Sequence, residues 1–122
     1  MSFADELARC KPWIEDALVH CGGTHTIEDI EAEISAGALQ FWPGKNCAGV
    51  TRFVETPQLK ILAIFLTGGD LDEILTGLEP AFVDWAKASG CSRIVETGRR
   101  GWEKVLGPRG YQVTGITMMK VI

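Results

Sequence analysis

The groups able to do chemistry in this chain are few. His20-Cys21 and His25, with Cys10 upstream, supply the ligand types of a zinc site. The competing reading is that His20-Cys21-Gly22-Gly23 ends a helix, with His20 complementing its C-terminal dipole, and this gives the expectation of no metal. The four cysteines, Cys10, Cys21, Cys47 and Cys91, stand far apart with no C-x-x-C pair. Neither a disulfide framework nor a zinc knuckle is signalled, and none sits at an evident electropositive helix start that would make a thiolate nucleophile. Reduced, mostly buried thiols are expected. Arg99, Arg100, Lys104 and Arg109 bracket a short helix, where a phosphate-bearing ligand, a nucleic-acid backbone or an acidic protein surface could dock. A solvated end of the sheet accounts for them equally well, with Arg109 in Pro108-Arg109-Gly110 a turn residue.

The scaffold for these groups is one domain. A chain of 122 residues, 46% hydrophobic and 23% charged, has length for one core and not for two. Its longest strongly apolar stretch, residues 61–66, falls far short of the roughly 20 residues that cross a bilayer, so no membrane span is expected. The start, Met1-Ser2-Phe3-Ala4-Asp5-Glu6, has acids where a secretory signal carries bases, and the expected compartment is the cytoplasm. The net charge of -4 is uneven. Residues 93–122 hold six basic side chains against two acidic ones, a net +4, and the remainder carries -8. No aromatic interleaves the bases in a stacking pattern and the pI is acidic, which argues against nucleic acid as the partner.

Periodicity sets the element order. Phe3, Leu7, Ile14 and Leu18 follow helical spacing after Ser2 as N-cap, with Pro12 as a point of rupture. Thr26 and Asp29 open a second helix running to about Gly37. The period then falls to two: residues 39–42, 48–55 and 60–67 read as an antiparallel meander, the last an apolar run suited to a central strand. Gly68-Gly69-Asp70 opens a helix with Ile74, Leu75, Leu78, Phe82, Trp85 and Ala86 on its inner face, kinked by Gly77 and Pro80. Residues 92–97 form a strand, 102–106 a short helix and 111–122 a long final strand. The order is α-α-β-β-β-α-β-α-β, an α/β sandwich with a mixed sheet. Trp13, Trp42, Trp85 and Trp102 are expected in the core or at subunit contacts, and Trp42, beside Pro43-Gly44, is the one expected to be exposed to a partner.

That order resembles the GNAT (N-acetyltransferase-like) superfamily, truncated at the N-terminal strand, over nearly the whole chain. Residues 82–91 look like the end of that family's long cofactor-side helix, and Gly110-Tyr111 like its step into the terminal strands. The set His25-Thr26, Gln40-Phe41-Trp42-Pro43, Gly68-Gly69-Asp70-Leu71, Trp85-Ala86 with Gly90-Cys91, and Gly98-Arg99-Arg100-Gly101-Trp102 is similar to small GNAT-like proteins of tailed phages and prophages, encoded among virion genes.

The resemblance implies a test of whether acyl-transfer chemistry survives. An active member cradles the pyrophosphate of acetyl-CoA on backbone N–H groups of a Q/R-x-x-G-x-G/A loop at a helix start. Here that signature falls on Asp70-Leu71-Asp72-Glu73-Ile74-Leu75, with every signature position changed and three carboxylates where phosphates would sit. Gly68, Gly69, Asp70 and Leu71 are the residues left to meet CoA if it binds. The family's tyrosine acid is replaced around Val105-Leu106-Gly107-Pro108, and Tyr111, the sole tyrosine, holds a phenylalanine position with a packing role. Glu55 and Glu96 are the remaining general-base candidates, expected to face solvent or pair with Arg52 or Arg93. No catalytic residue and no cofactor are therefore expected. The expected protein is a catalytically silent phage or prophage GNAT-like protein that binds a phage or host protein, or assembles as a homo-oligomer, with virion association open. The alternatives are a divergent acetyl-CoA-dependent N-acyltransferase and a nucleic-acid module using the C-terminal basic cluster.

Overall fold

The structure, a computed structural model, describes residues 2–122. Helix α1 (Phe3–Leu18) begins where the Ser2 hydroxyl accepts the Asp5 N–H at 3.1 Å, with Asp5 and Glu6 in the positive first turn. It runs unbroken through Pro12, because Leu7, Cys10 and Ile14 are all buried against the sheet and this packing offsets one missing hydrogen bond. Helix α2 (Ile27–Ser35) opens on a reciprocal capping box, Thr26 N–H to Asp29 at 2.8 Å and Asp29 N–H to Thr26 at 3.2 Å.

Strands β1 (Gln40–Pro43), β2 (Cys47–Glu55) and β3 (Lys60–Gly69) form the expected antiparallel meander, with a bulge in β2 at Val50/Thr51. Residues 71–88 form one helix, α3, in three segments: Leu71–Glu73, a π turn Ile74–Leu78, and Glu79–Ala88. The kink expected from Gly77 and Pro80 takes this form. Glu79 N–H reaches back five residues to the Ile74 carbonyl just before Pro80, which has no N–H to give. Strand β4 (Arg93–Glu96) pairs parallel to β3, so the sheet order is β1-β2-β3-β4. Helix α4 (Gly101–Leu106) and a 3-10 turn (Gly107–Arg109) follow.

Two apolar clusters cover the two sheet faces. Leu7, Cys10, Ile14, Ile27 and Ile30 from α1 and α2 pack on Ala48, Val50 and Leu66. Ile74, Leu78, Phe82 and Ala86 of α3 pack on Cys47, Leu62 and Ile64.

Residues 111–122 form no strand, which corrects the expected final β element. Their composition is that of a strand, but a strand exists only where an edge receives it, and this segment pairs with no strand among the described residues. Among the described residues no helix is long and apolar enough to cross a membrane.

Candidate functional site

The geometry of interest arises where two parallel strands part. β4 pairs with β3 only from Ile61/Arg93 to Ile64/Glu96, and from Phe65 to Gly69 β3 has no partner on that side and is paired to β2 alone. The opening is bounded on one side by the start of α3 and on the other by residues 97–102.

The α3 start is held by the chain's own groups. The Asp70 carboxylate accepts the Glu73 N–H at 2.9 Å, and the Asp70 N–H donates to the Asn46 carbonyl at 2.9 Å. The Glu73 carboxylate turns back to the β1–β2 turn, accepting the Lys45 N–H at 2.6 Å and the Asn46 N–H at 2.9 Å. Arg9 closes the turn from the other side, donating to the carbonyls of Gly44 at 2.7 Å and Lys45 at 2.9 Å, and to Glu6 at 2.6 Å. Gly68 and Gly69 are required by packing. A Cβ on Gly68 would lie 2.1 Å from the Trp13 carbonyl oxygen, and Gly69 combines φ +104° with a Cβ position 2.4 Å from the Asn46 carbonyl oxygen. Leu71 is half-exposed at the rim. The structure thus gathers Gly68, Gly69, Asp70 and Leu71 at one place, where the Asp70 and Glu73 carboxylates are bonded within the fold.

The interior of the opening is different. A cavity of about 10 Å³, room for about one water, lies between Ile64, Ile74, Glu79, Phe82, Glu96 and Trp102. Burial pushes the Glu96 carboxyl up to about 8. Glu79 is 7% exposed; one carboxylate oxygen lies 3.8 Å from the Arg109 guanidinium, and the other has no hydrogen-bond partner among the described residues. The Tyr111 hydroxyl is likewise buried without a partner, and burial together with Glu79 and Glu96 drives its pKa upward. The arrangement can hold or release a proton near neutral pH at Glu96, beside a second carboxylate and a phenol.

Of the two base candidates, Glu55 is exposed at the end of β2, whereas Glu96 faces inward, contrary to the expectation of a solvent-facing or Arg93-paired side chain. The reason is strand alternation: Ile94 packs on the α3 side, so Glu96, two residues on, shares that side. Arg93 instead donates to the Ser92 carbonyl, and Arg52 lies 4.9 Å above the Phe65 ring. Sequence reasoning misses Glu79. The available signal is helical spacing, since Glu79 lies four residues after Leu75 and three before Phe82 on the inner face.

The other candidates disperse. Trp42 is not an exposed partner contact: it is half-buried, 5.1 Å from Phe82 and 6.4 Å from Trp85, with its indole N–H donating to Thr51 at 2.9 Å. Trp85, 40% exposed, presents the larger aromatic surface. His25 is engaged by Thr24 at 2.7 Å, by Glu33 at 3.6 Å and by the Phe65 ring at 5.0 Å. No three His, Cys, Asp or Glu side chains gather as a metal site among the described residues. Cys10 and Cys47 are fully buried, and burial with Glu73 nearby pushes the Cys47 thiol up to about 12, which removes it as a nucleophile. Arg99 and Arg100 lead exposed into α4 and Lys104 sits exposed in its last turn, while Arg109 turns to Glu79.

No protein-family model matches the sequence, and no curated protein does. Solved structures do match in fold. TTHA1254 from Thermus thermophilus superposes with a TM-score of 0.66 at 14% identity, over 99% of this chain and 93% of that one. A predicted acetyltransferase from Clostridium acetobutylicum, solved with acetyl-CoA, matches at TM-score 0.59 and 14% identity over 78% of this chain and 71% of its own. Glucosamine-6-phosphate N-acetyltransferase from Arabidopsis thaliana matches at 0.57 and 15% over 98% and 88%. The chain has the fold of the GNAT acetyltransferases.

Proposed function

We propose that this chain is a catalytically silent GNAT-fold protein that works by contact with other proteins, in binding or assembly. One observation carries the reading: the α3 start, where a CoA pyrophosphate would need free N–H donors and no negative charge, is occupied by Asp70, Asp72 and Glu73 and tied to the β1–β2 turn. Each carboxylate near a phosphate costs on the order of 1 kcal/mol in a largely aqueous setting, so three weaken binding about a hundredfold or more. A phage or prophage origin belongs to the same proposal and rests on the Gly98-Arg99-Arg100-Gly101-Trp102 run and its companion motifs. The test is thermal unfolding with acetyl-CoA or CoA, since a native-state ligand raises the midpoint by mass action. An unchanged midpoint at millimolar CoA is the expected result, and a rise of several degrees overturns the reading.

A second reading, a divergent N-acyltransferase, is favoured by Glu96 alone. A carboxyl pushed up to about 8 at the parting of β3 and β4 suits proton removal from an amine nucleophile. This reading requires acetyl-CoA to be held without the α3 start. The nucleic-acid alternative is weakened by the diversion of Arg109 to Glu79. It predicts salt-sensitive DNA or RNA affinity lost in Arg99→Glu/Arg100→Glu.

A further inference from the structure

We propose that residues 98–111 are a proton-held flap: they close over the β3–β4 opening while the Glu96 carboxyl carries its proton, and they swing away from α3 as that proton leaves. The segment starts two residues after Glu96, forms α4 and the 3-10 turn, and comes back to α3 at Arg109. Its turn bonds stay within itself: Trp102 N–H to the Arg99 carbonyl, Glu103 to Arg100, Gly110 to Gly107 and Tyr111 to Leu106. It is held to the rest of the fold by the packing of Trp102 and Leu106 and by Arg109, 3.8 Å from Glu79 with a third of its side chain exposed. A segment so fastened can leave without disturbing the sheet.

Two side chains of the flap close on Glu96. Glu96 Oε1 and Trp102 Cδ1 each lie 2.9 Å from the point where a Gly98 Cβ would stand, so carboxyl and indole meet at the same glycine. The Tyr111 hydroxyl is buried near both Glu79 and Glu96 and has no hydrogen-bond partner among the described residues.

The charges facing this chamber make the proton decisive. From α3 comes Glu79, 7% exposed, with one oxygen toward Arg109 and the other unpartnered. The turn after α4 brings Arg109 and Tyr111. β3 contributes Ile64 and Thr67, and α4 contributes Trp102 and Leu106, none of which titrates. Arg99, Arg100, Glu103 and Lys104 of the flap are exposed, and Arg93 of β4 donates to the Ser92 carbonyl. With Glu96 protonated, one carboxylate faces one guanidinium. With Glu96 ionised, a closed flap would hold two carboxylates against that guanidinium, in a cavity of about 10 Å³ with room for about one water. Release of the flap returns the second charge to bulk water.

The sign follows from the two states. The closed carboxyl keeps its proton up to about 8 and a solvated one only to about 4.5, so the closed flap binds more protons between those values. Closure is strongest below about pH 4.5 and weakens until the pH has passed about 8. Release uncovers Trp102, Leu106 and the Phe82 side of the cavity, so one proton sets how much apolar surface this end of the sheet offers. The flap is independent of whether the α3 start admits CoA.

The test is native-state hydrogen exchange of the full chain in low urea, from pH 5.5 to 7.5, corrected for the intrinsic exchange rate. The α4 amides are expected to exchange faster than those of β2 at every pH, through a motion that low urea hardly changes. Their protection is expected to fall on the order of fiftyfold across that interval, and Glu96→Gln to abolish the fall. Because α4 and β2 are compared within the parent chain, the result stands whether or not the variant folds well. A common exchange rate for α4 and β2, a protection of α4 that does not change with pH, or an equal fall in Glu96→Gln overturns the proposal.

Discussion

The two sides of the β3–β4 opening are built on opposite principles. At the α3 start, Asp70, Glu73, Lys45 and Asn46 bond one another, and Arg9 braces the turn from behind. In the interior, Glu96 is held above its ordinary pKa and Glu79 and Tyr111 each keep a buried oxygen without a partner. On the proposed reading, a helix start that could otherwise receive an anion is here committed to bonds within the fold. The polar groups left unsatisfied are acidic ones deeper in, where an anionic cofactor is least welcome.

The contrast between the two sides breaks most severely at Gly68. Gly68→Ala puts a Cβ against the Trp13 backbone, which cannot swing away as a side chain can, and a loss of about 3 kcal/mol or more is expected in urea unfolding. A loss below about 1 kcal/mol would mean the glycine is there for something other than packing.

Glu73→Ala comes next. It leaves the Lys45 and Asn46 N–H groups without their charged acceptor, for an expected loss of about 1–3 kcal/mol, and Glu73→Gln, which keeps one acceptor oxygen, loses less. If either variant gained CoA affinity, the carboxylate would be shown to be the obstacle.

Glu96→Gln probes the other side through pH. The folded carboxyl holds its proton up to about 8 and the unfolded one only to about 4.5, so the folded state binds more protons between those values. The stability linked to Glu96 is therefore fully present below about pH 4.5 and is lost as pH rises through about 8. Glu96→Gln should flatten that decline, with a gain on the order of 1–3 kcal/mol at pH 9 relative to the parent. Parallel stability–pH curves for parent and variant would remove Glu96 from the account.

The smallest effect is expected at Arg100→Ala, an exposed position, within about 0.5 kcal/mol of the parent in urea unfolding.

These residues also mark where sequence was informative. Local rules carried far: the Thr26–Asp29 box, the Asp70 cap and the apolar run of β3 are set by neighbours three residues away or by strand period, and each stands where the pattern places it. Long-range relations did not. The bond from Glu73 to Lys45 spans 28 positions, and nothing near Glu73 announces it. Trp42 beside a Pro-Gly turn reads as exposed, yet the turn only delivers it onto Phe82 and Trp85. Residues 111–122 have strand composition yet pair with no strand among the described residues, a difference no single-chain pattern records.

The proposed function stands or falls on whether the α3 start can hold CoA. Calorimetric titration of the full chain with acetyl-CoA at low salt tests it most directly. With the start of α3 closed to the cofactor, no saturable heat is expected up to millimolar ligand. Saturable micromolar binding would contradict it and return the Glu96 interior to consideration as an acyl-transfer site.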